Sequence, residues 1–123
     1  MDPNIRTALI IAALFVLVYG RSFLGSRKKR ELTELLVNDD NVLVVDVRTS
    51  GEYREGHVDS AINIPVENIK KAGKKLGAKD RPIVLYCASG ARSRVALTNL
   101  RSMGYTRVYN GGTLAAVQRM VSG

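Results

Sequence analysis

Two apolar runs rich in β-branched residues constrain the fold of this chain most. One run is NVLVVDV at residues 41–47, the other is RPIVLYC at residues 81–87, and each holds several consecutive apolar residues without strict alternation. A strand of this kind is buried on both faces, as in a parallel sheet that helices cover on both sides. The two runs therefore predict the interior of a parallel sheet.

The segments around these runs alternate between helical and extended patterns. Leucines at helical spacing predict a helix, and residues that end in a proline predict a short strand. We expect helices over 31–37, 66–77 and part of 88–104, a short polar helix or turn at 50–56, strands at 60–65 and 105–110, and a closing helix after a Gly111-Gly112 turn. This order predicts an α/β fold with a mainly parallel sheet of about five strands flanked by helices, joined by right-handed crossovers.

The amino-terminal segment is apolar all round. Residues 7–19 read TALIIAALFVLVY without a charge, and residues 5–24 reach the length of about 20 residues that a spanning helix needs. The basic residues at 27–30 favour the cytoplasmic side of a membrane. We therefore expect an N-terminal apolar helix that anchors the protein (1–30) and a cytoplasmic folded domain (31–123). An export signal left in place, with an exported or periplasmic domain, and a buried core helix are the alternatives.

The net charge of +8 is unevenly distributed along the chain. Residues 1–30 hold six of the 19 basic residues but one of the 11 acidic residues, beside the apolar run. Basic residues in that position are typical of a membrane surface, so we do not expect nucleic-acid binding. A separate lysine group forms a solvated face or, alternatively, a docking surface for an acidic partner or lipid headgroups, and comprises Lys70, Lys71, Lys74, Lys75 and Lys79.

Cys87 is the single cysteine of the chain, which excludes an internal disulfide and a metal cage built from several cysteines. It ends the second apolar run, at the strand edge where parallel sheets bind ligands. Small residues follow it, then the predicted start of a helix with Arg92 and Arg94. Backbone N–H groups, the helix dipole and both arginines would stabilise a thiolate. We interpret Cys87 as a nucleophile, with a small buried apolar residue as the alternative.

The order and spacing of several motifs resemble a single-domain rhodanese over nearly all of residues 31–123. The matching residues are Asp46-Val47-Arg48, Glu52-Tyr53, Gly56-His57-Val58, Ala61-Ile62-Asn63-Ile64-Pro65 and Cys87-x-x-Gly90-x-Arg92-Ser93. The resemblance implies a sulfurtransferase of the thiosulfate:cyanide type, in which the cysteine takes a sulfane sulfur as a persulfide and passes it to a thiophilic acceptor. The sequence itself shows no metal, nucleotide or flavin motif, so we expect no cofactor and no metal.

The resemblance also assigns roles to individual residues. Cys87 becomes the persulfide residue, and Asp46 and Arg48 organise the site. The substrate-binding loop comprises Ala88, Ser89, Gly90, Ala91, Arg92, Ser93 and Arg94. Thiosulfate-preferring relatives often have Arg at the position of Ala88, which indicates that thiosulfate is not the natural donor. His57 is interpreted as a hydrogen-bonded turn residue rather than a catalytic partner of the cysteine.

Two other functions remain alternatives. Cysteine phosphatases and arsenate reductases use a Cys-x5-Arg loop on this fold, but four residues separate Cys87 from Arg92 here. A noncatalytic, membrane-tethered binding module is the other alternative, because some domains of this fold lack the cysteine, but this chain keeps Cys87. Because the chain has no second cysteine, a sulfurtransferase would need an outside thiol as acceptor and a small sulfane-sulfur donor.

Overall fold

The computed structural model describes the backbone of residues 3–123 and the side chains of residues 3–17 and 27–123. The chain divides into two compact units, of which the first ends at Glu31 and the second comprises Leu32–Gly123. Assigning separate roles to residues 1–30 and 31–123 stays a prediction.

The first helix, α1 (Pro3–Asn38), joins the apolar segment and the predicted helix at 31–37 in one continuous element. Within the part of the chain that the structure describes, no helix is both long enough and apolar enough to pass through a bilayer. The expected membrane anchor over residues 5–24 is therefore not supported, and the side chains of its residues 18–24 lie outside those described. The cytoplasmic location of the domain, and its exported alternative, stays a prediction.

The sheet has four parallel strands in the order β2-β1-β3-β4. The strands are β1 (Leu43–Asp46), β2 (Ile62–Asn63), β3 (Ile83–Cys87) and β4 (Val108–Thr113). The expected number of about five was wrong, because each extended pattern in the sequence accounts for one of these four strands and the segments between them form helices and turns. The parallel α/β arrangement itself is confirmed.

The edge strand β4 carries an irregularity that the sequence pattern did not reveal. Leu85 pairs with Asn110 and Tyr86 pairs with Gly112, so Gly111 is an extra residue on β4. A Cβ atom at Gly111 would lie 2.7 Å from a methyl group of Val117, which leaves room for glycine alone. The expected strand at 105–110 with a glycine turn after it was wrong in its bounds, because both glycines belong to the strand.

Five further helical elements follow α1, four of them between strands and the last after β4. They are α2 (Ser50–Glu55), a 3₁₀ helix (Val66–Lys71), α3 (Gly73–Leu76), α4 (Ala91–Ser102) and α5 (Leu114–Ser122). The single helix expected at 66–77 is two short ones, since Ala72 leaves helical geometry (φ −97°, ψ 18°) and Gly73, a poor helix former, follows it.

Core residues cover both faces of the central strands. Val45, Ile83 and Leu85 pack in one cluster with Leu100 of α4 and Ile69 of the 3₁₀ helix. The alternate strand residues pack on the other face in two smaller clusters, which include Val44, Tyr86, Val84, Leu32, Val117 and Met120. Burial on both faces explains the uninterrupted apolar runs, and it fixes the carboxyl end of β3, where Cys87 lies.

Candidate active site

Cys87 is the last residue of β3, and its exposed fraction is 0%. Ala88 and Ser89 follow on the surface, and Gly90 caps the start of α4 with a left-handed backbone (φ 91°, ψ −9°). Glycine adopts this conformation without the clash that a Cβ atom would cause. The chain therefore turns back over the cysteine within three residues and points its amides at the sulfur.

Hydrogen bonds surround the sulfur atom. The N–H of Gly90 donates to Sγ of Cys87 at 3.0 Å, and the hydroxyl of Ser93 lies 3.5 Å from Sγ. Burial raises the pKa of the thiol, but hydrogen bonds from the Ser93 side chain and from the backbone of Ser93, Ser89 and Gly90 outweigh burial. The pKa of Cys87 is therefore lowered from its ordinary value, which favours the reactive thiolate.

Asn110 holds the Ser93 hydroxyl in place. The N–H of Gly112 donates to Oδ1 of Asn110 at 2.9 Å, and Nδ2 of Asn110 donates to the carbonyl of Gly90 at 3.3 Å. These two bonds fix which end of the amide is the oxygen. The Ser93 hydroxyl, 2.7 Å from Oδ1, must therefore be the donor in that contact. A Cys87 thiolate would compete for this single hydrogen with Asn110 and with the carbonyl of Gly90, which lies 3.0 Å from the hydroxyl.

Arg92 is held by Glu52 of α2 in a two-pronged ion pair. Nη1 of Arg92 lies 2.7 Å from Oε1 of Glu52, and Nη2 lies 3.0 Å from Oε2. The side-chain hydrogen bond to Arg92, followed by the backbone N–H of Thr49, lowers the pKa of Glu52 to about 2. The bond to Glu52 in turn raises the pKa of Arg92, and the nearby Cys87 contributes to the same shift. The arginine therefore lies beside the sulfur with its charge already paired.

A buried ion pair supports the neighbouring strand end. Arg48 donates to both carboxylate oxygens of Asp46 at 2.7–3.0 Å, and its Nη2 also donates to the carbonyl of Gly56. Asp46 pairs with Tyr86 in the sheet, next to Cys87 along β3. Because Gly56 ends α2, these bonds tie the helix that carries Glu52 to the strand beside the cysteine.

The structure brings part of the predicted site together at the sulfur. Gly90 and Ser93 hydrogen-bond with Cys87, and the pKa of Arg92 is raised in part by it. Ala88, Ser89, Ala91 and Arg94 have exposed side chains, and Ser89 contributes its backbone. Asp46 and Arg48 act from the adjacent strand. The catalytic and binding roles assigned to these residues stay predictions.

His57 hydrogen-bonds within its own turn rather than with Cys87. Nδ1 of His57 donates to the carbonyl of Tyr53 at 2.7 Å, and the two rings stack with centroids 3.6 Å apart. These contacts fit the interpretation of His57 as a turn residue. Across the described residues, no cluster of three or more His, Cys, Asp and Glu side chains forms a potential metal site.

Glu52 and Asn110 also contact the site, although neither was among the residues predicted for it. Glu52 carried one local signal, since Thr49-x-x-Glu52 is the capping-box pattern and the structure forms both of its hydrogen bonds. The pattern places the carboxylate at the start of α2 but does not indicate its partner. Asn110 carried no local signal, because its contact with Ser93 forms only when β4 pairs with β3 in the sheet.

The fold and the site define a class of protein, a small parallel α/β domain with a stabilised thiol at the end of a strand, just before a helix begins. Residues 28–117 match the rhodanese-like domain family. The chain is 40% identical over 86 residues to a sulfurtransferase of Allochromatium vinosum, covering 68% of this chain and 79% of that protein. It is also 38% identical over 71 residues to thiosulfate sulfurtransferase PspE of Escherichia coli, covering 57% of this chain and 68% of that protein.

A solved structure of another sulfurtransferase is similar to the structure of this chain. The human single-domain sulfurtransferase TSTD1 superposes with a TM-score of 0.63 at 27% identity, covering 73% of this chain and 91% of that chain. The protein belongs to the rhodanese-like family. At the level of the family it is a rhodanese-type sulfurtransferase, and the resemblance inferred from its motifs is confirmed.

Proposed function

We propose that Cys87 accepts a sulfane sulfur as a persulfide and passes it to an external thiophilic acceptor. The observation that carries this proposal is the set of hydrogen bonds at the sulfur, with the N–H of Gly90 at 3.0 Å and the hydroxyl of Ser93 at 3.5 Å. These groups lower the pKa of the thiol despite its burial. A thiolate is the form that attacks sulfur.

The first half-reaction is a displacement at sulfur. The Cys87 thiolate attacks the sulfane sulfur of the donor and forms a new S–S bond. The S–S bond within the donor breaks, and its electron pair leaves on the donor remnant, which is sulfite when the donor is thiosulfate. The terminal sulfur of the persulfide then carries the negative charge that the thiolate held, and the same backbone donors are available to stabilise it.

The second half-reaction requires a group from outside the chain. A thiol or cyanide attacks the terminal sulfur, the persulfide S–S bond breaks, and its electron pair returns to Sγ of Cys87. Cys87 is the single cysteine, so the chain itself offers no second thiol to act as acceptor. The acceptor is therefore a small thiol, a thiol of another protein, or cyanide in an assay of the thiosulfate:cyanide type.

Separating the half-reactions tests this function. The protein is incubated with thiosulfate, freed of excess donor, and then mixed with cyanide. We expect thiocyanate in an amount equal to the persulfide loaded on Cys87, together with return of the free thiol. A loaded protein that releases no thiocyanate to cyanide and no sulfide to dithiothreitol would contradict the proposal.

A further inference from the structure

The arginine beside the candidate nucleophile is occupied before any donor arrives. Both terminal nitrogens of Arg92 bind the two oxygens of Glu52, at 2.7 and 3.0 Å. This fork-to-fork geometry is the one in which arginine binds a carboxylate or other planar anion most strongly. An anionic donor that uses Arg92 must therefore compete with Glu52 for the same N–H groups.

Glu52 is itself fixed in place. Its Oε1 accepts from the backbone N–H of Thr49 at 3.2 Å and contacts the Thr49 hydroxyl at 3.1 Å. The hydroxyl in turn caps the helix by accepting from the N–H of Glu52 at 3.2 Å. The side chains of Glu52 and Arg92 are about one-third exposed, which leaves the pair partly shielded from water. The carboxylate is thus preorganised toward Arg92.

The loop around Cys87 offers little other positive charge. Ala88 and Ala91 are uncharged, and Arg94 is exposed in α4, two residues after Arg92. Glu52 cancels the charge of Arg92, and the Cys87 thiolate adds a negative charge of its own. When a doubly charged anion approaches, the loop arginine beside this sulfur is therefore already paired, and Arg94 lies at the exposed surface of α4.

We propose that Glu52 is a specificity-determining residue, which by pairing with Arg92 next to Cys87 disfavours dianionic sulfur donors and favours persulfides of thiols. This inference rests on the proposed function and names its donor class. A persulfide R–S–SH carries no charge on the transferred group when protonated, so it needs no arginine clamp. Thiosulfate carries two negative charges and would benefit from a free Arg92.

The persulfide reaction balances within the groups named. The Cys87 thiolate attacks the terminal sulfur of R–S–SH and forms Cys87–S–SH. The donor S–S bond breaks, and its electron pair leaves as the thiolate R–S⁻. One negative charge enters on the protein and leaves on the product, and the proton of the transferred SH group comes with the protonated donor, so no oxidant or reductant is required.

The test compares two donors on matched variants. Glu52→Gln removes the negative charge but keeps a residue type that supports the capping box. Glu55→Gln removes an exposed charge from the same helix and serves as the control. Persulfide formation on Cys87 is followed with thiosulfate and with a low-molecular-weight thiol persulfide, and kcat/KM is measured for each. We expect Glu52→Gln to raise kcat/KM for thiosulfate by about tenfold and to change the persulfide value by less than about twofold.

Two further measurements separate selection of the donor from a general effect on structure. The gain with thiosulfate should disappear in the double variant Glu52→Gln with Arg92→Ala, because the gain depends on a free arginine. The thiosulfate rate of Glu52→Gln should also fall more steeply with added salt than that of the wild type. If Glu52 had a merely structural role, its substitution would change kcat/KM by a similar factor for both donors.

The outcomes distinguish this inference from the proposed function. If the wild type forms a persulfide from either donor but Glu52→Gln shifts the donor ratio no more than Glu55→Gln does, the specificity role is wrong and the sulfurtransferase function stands. A gain that persists without Arg92 also overturns the role. If no donor loads Cys87, the proposed function itself is wrong.

Discussion

The N–H of Gly90 points at Sγ of Cys87 across 3.0 Å, from a glycine in the left-handed conformation. The residue that turns the chain is therefore also a residue that stabilises the sulfur. Ser93 adds its hydroxyl from the first turn of α4. The strand end, the turn and the helix start thus act together on one atom.

The first prediction concerns pH. The Cys87 pKa is lowered, so the thiolate fraction and kcat/KM should rise with pH through an inflection below that of an ordinary thiol. Ser93→Ala removes a hydrogen bond that favours the thiolate and should move the inflection to higher pH. Ser102→Ala, an exposed serine later in α4, is the control and should leave it unchanged. An inflection that stays in place or falls in Ser93→Ala would show that the hydroxyl does not stabilise the thiolate.

The second prediction compares the two loop arginines. Arg92→Ala leaves the Glu52 carboxylate unpaired beside the sulfur, so kcat/KM with thiosulfate should fall by about tenfold to a hundredfold. Arg94 is exposed, and Arg94→Ala should lower the same constant by less than about threefold. Steady-state kinetics of both variants measures which of the two substitutions lowers kcat/KM more. A larger loss in Arg94→Ala would contradict the placement of Arg92, rather than Arg94, beside the donor.

The third prediction concerns the buried pair of Asp46 and Arg48. Asp46→Ala leaves the Arg48 guanidinium buried without its carboxylate partner, and the free energy of unfolding should fall by about 3–5 kcal/mol. Urea unfolding followed by circular dichroism measures the change. Asp59→Ala, which removes an exposed carboxylate, is the matched control. A loss below about 1 kcal/mol would place the pair among weak surface interactions.

The fourth prediction addresses the phosphatase alternative. Four residues separate Cys87 from Arg92, one fewer than in a Cys-x5-Arg phosphate loop, and Arg92 is already paired with Glu52. The wild type should therefore not hydrolyse an aryl phosphate. Inserting one small residue between Gly90 and Ala91 should enlarge the ring of N–H groups and weaken persulfide formation. Wild-type hydrolysis at a rate comparable to sulfur transfer, and lost in Cys87→Ser, would favour the phosphatase.

Local sequence predicted the parts of the site that lie on one stretch of chain. The run ending at Cys87 indicated a buried strand, and the small residues with Gly90 indicated a tight turn into a helix. These features depend on neighbours within a few residues, so composition and spacing reveal them. The same holds for the parallel sheet, because strands buried on both faces need continuous apolar residues.

The partners that complete the site come from distant positions. Glu52 lies 40 residues before Arg92, and Asn110 lies 17 residues after Ser93. Which side chains meet depends on strand order and on the irregularity at Gly111, and neither is encoded in a local pattern. The single helix expected at 66–77 was wrong for a related reason, since helix ends depend on packing as well as propensity.

The central claim is that Cys87 carries the transferred sulfur, and intact-protein mass after exposure to a sulfane donor tests it most directly. The wild type should gain the mass of one sulfur atom and lose it on reduction with dithiothreitol. Cys87→Ser should gain nothing, while its circular dichroism spectrum stays that of the wild type, because a hydroxyl is a far weaker nucleophile at neutral pH. A sulfur adduct of equal yield on Cys87→Ser, or no adduct on the wild type with thiosulfate or a thiol persulfide, would contradict the account.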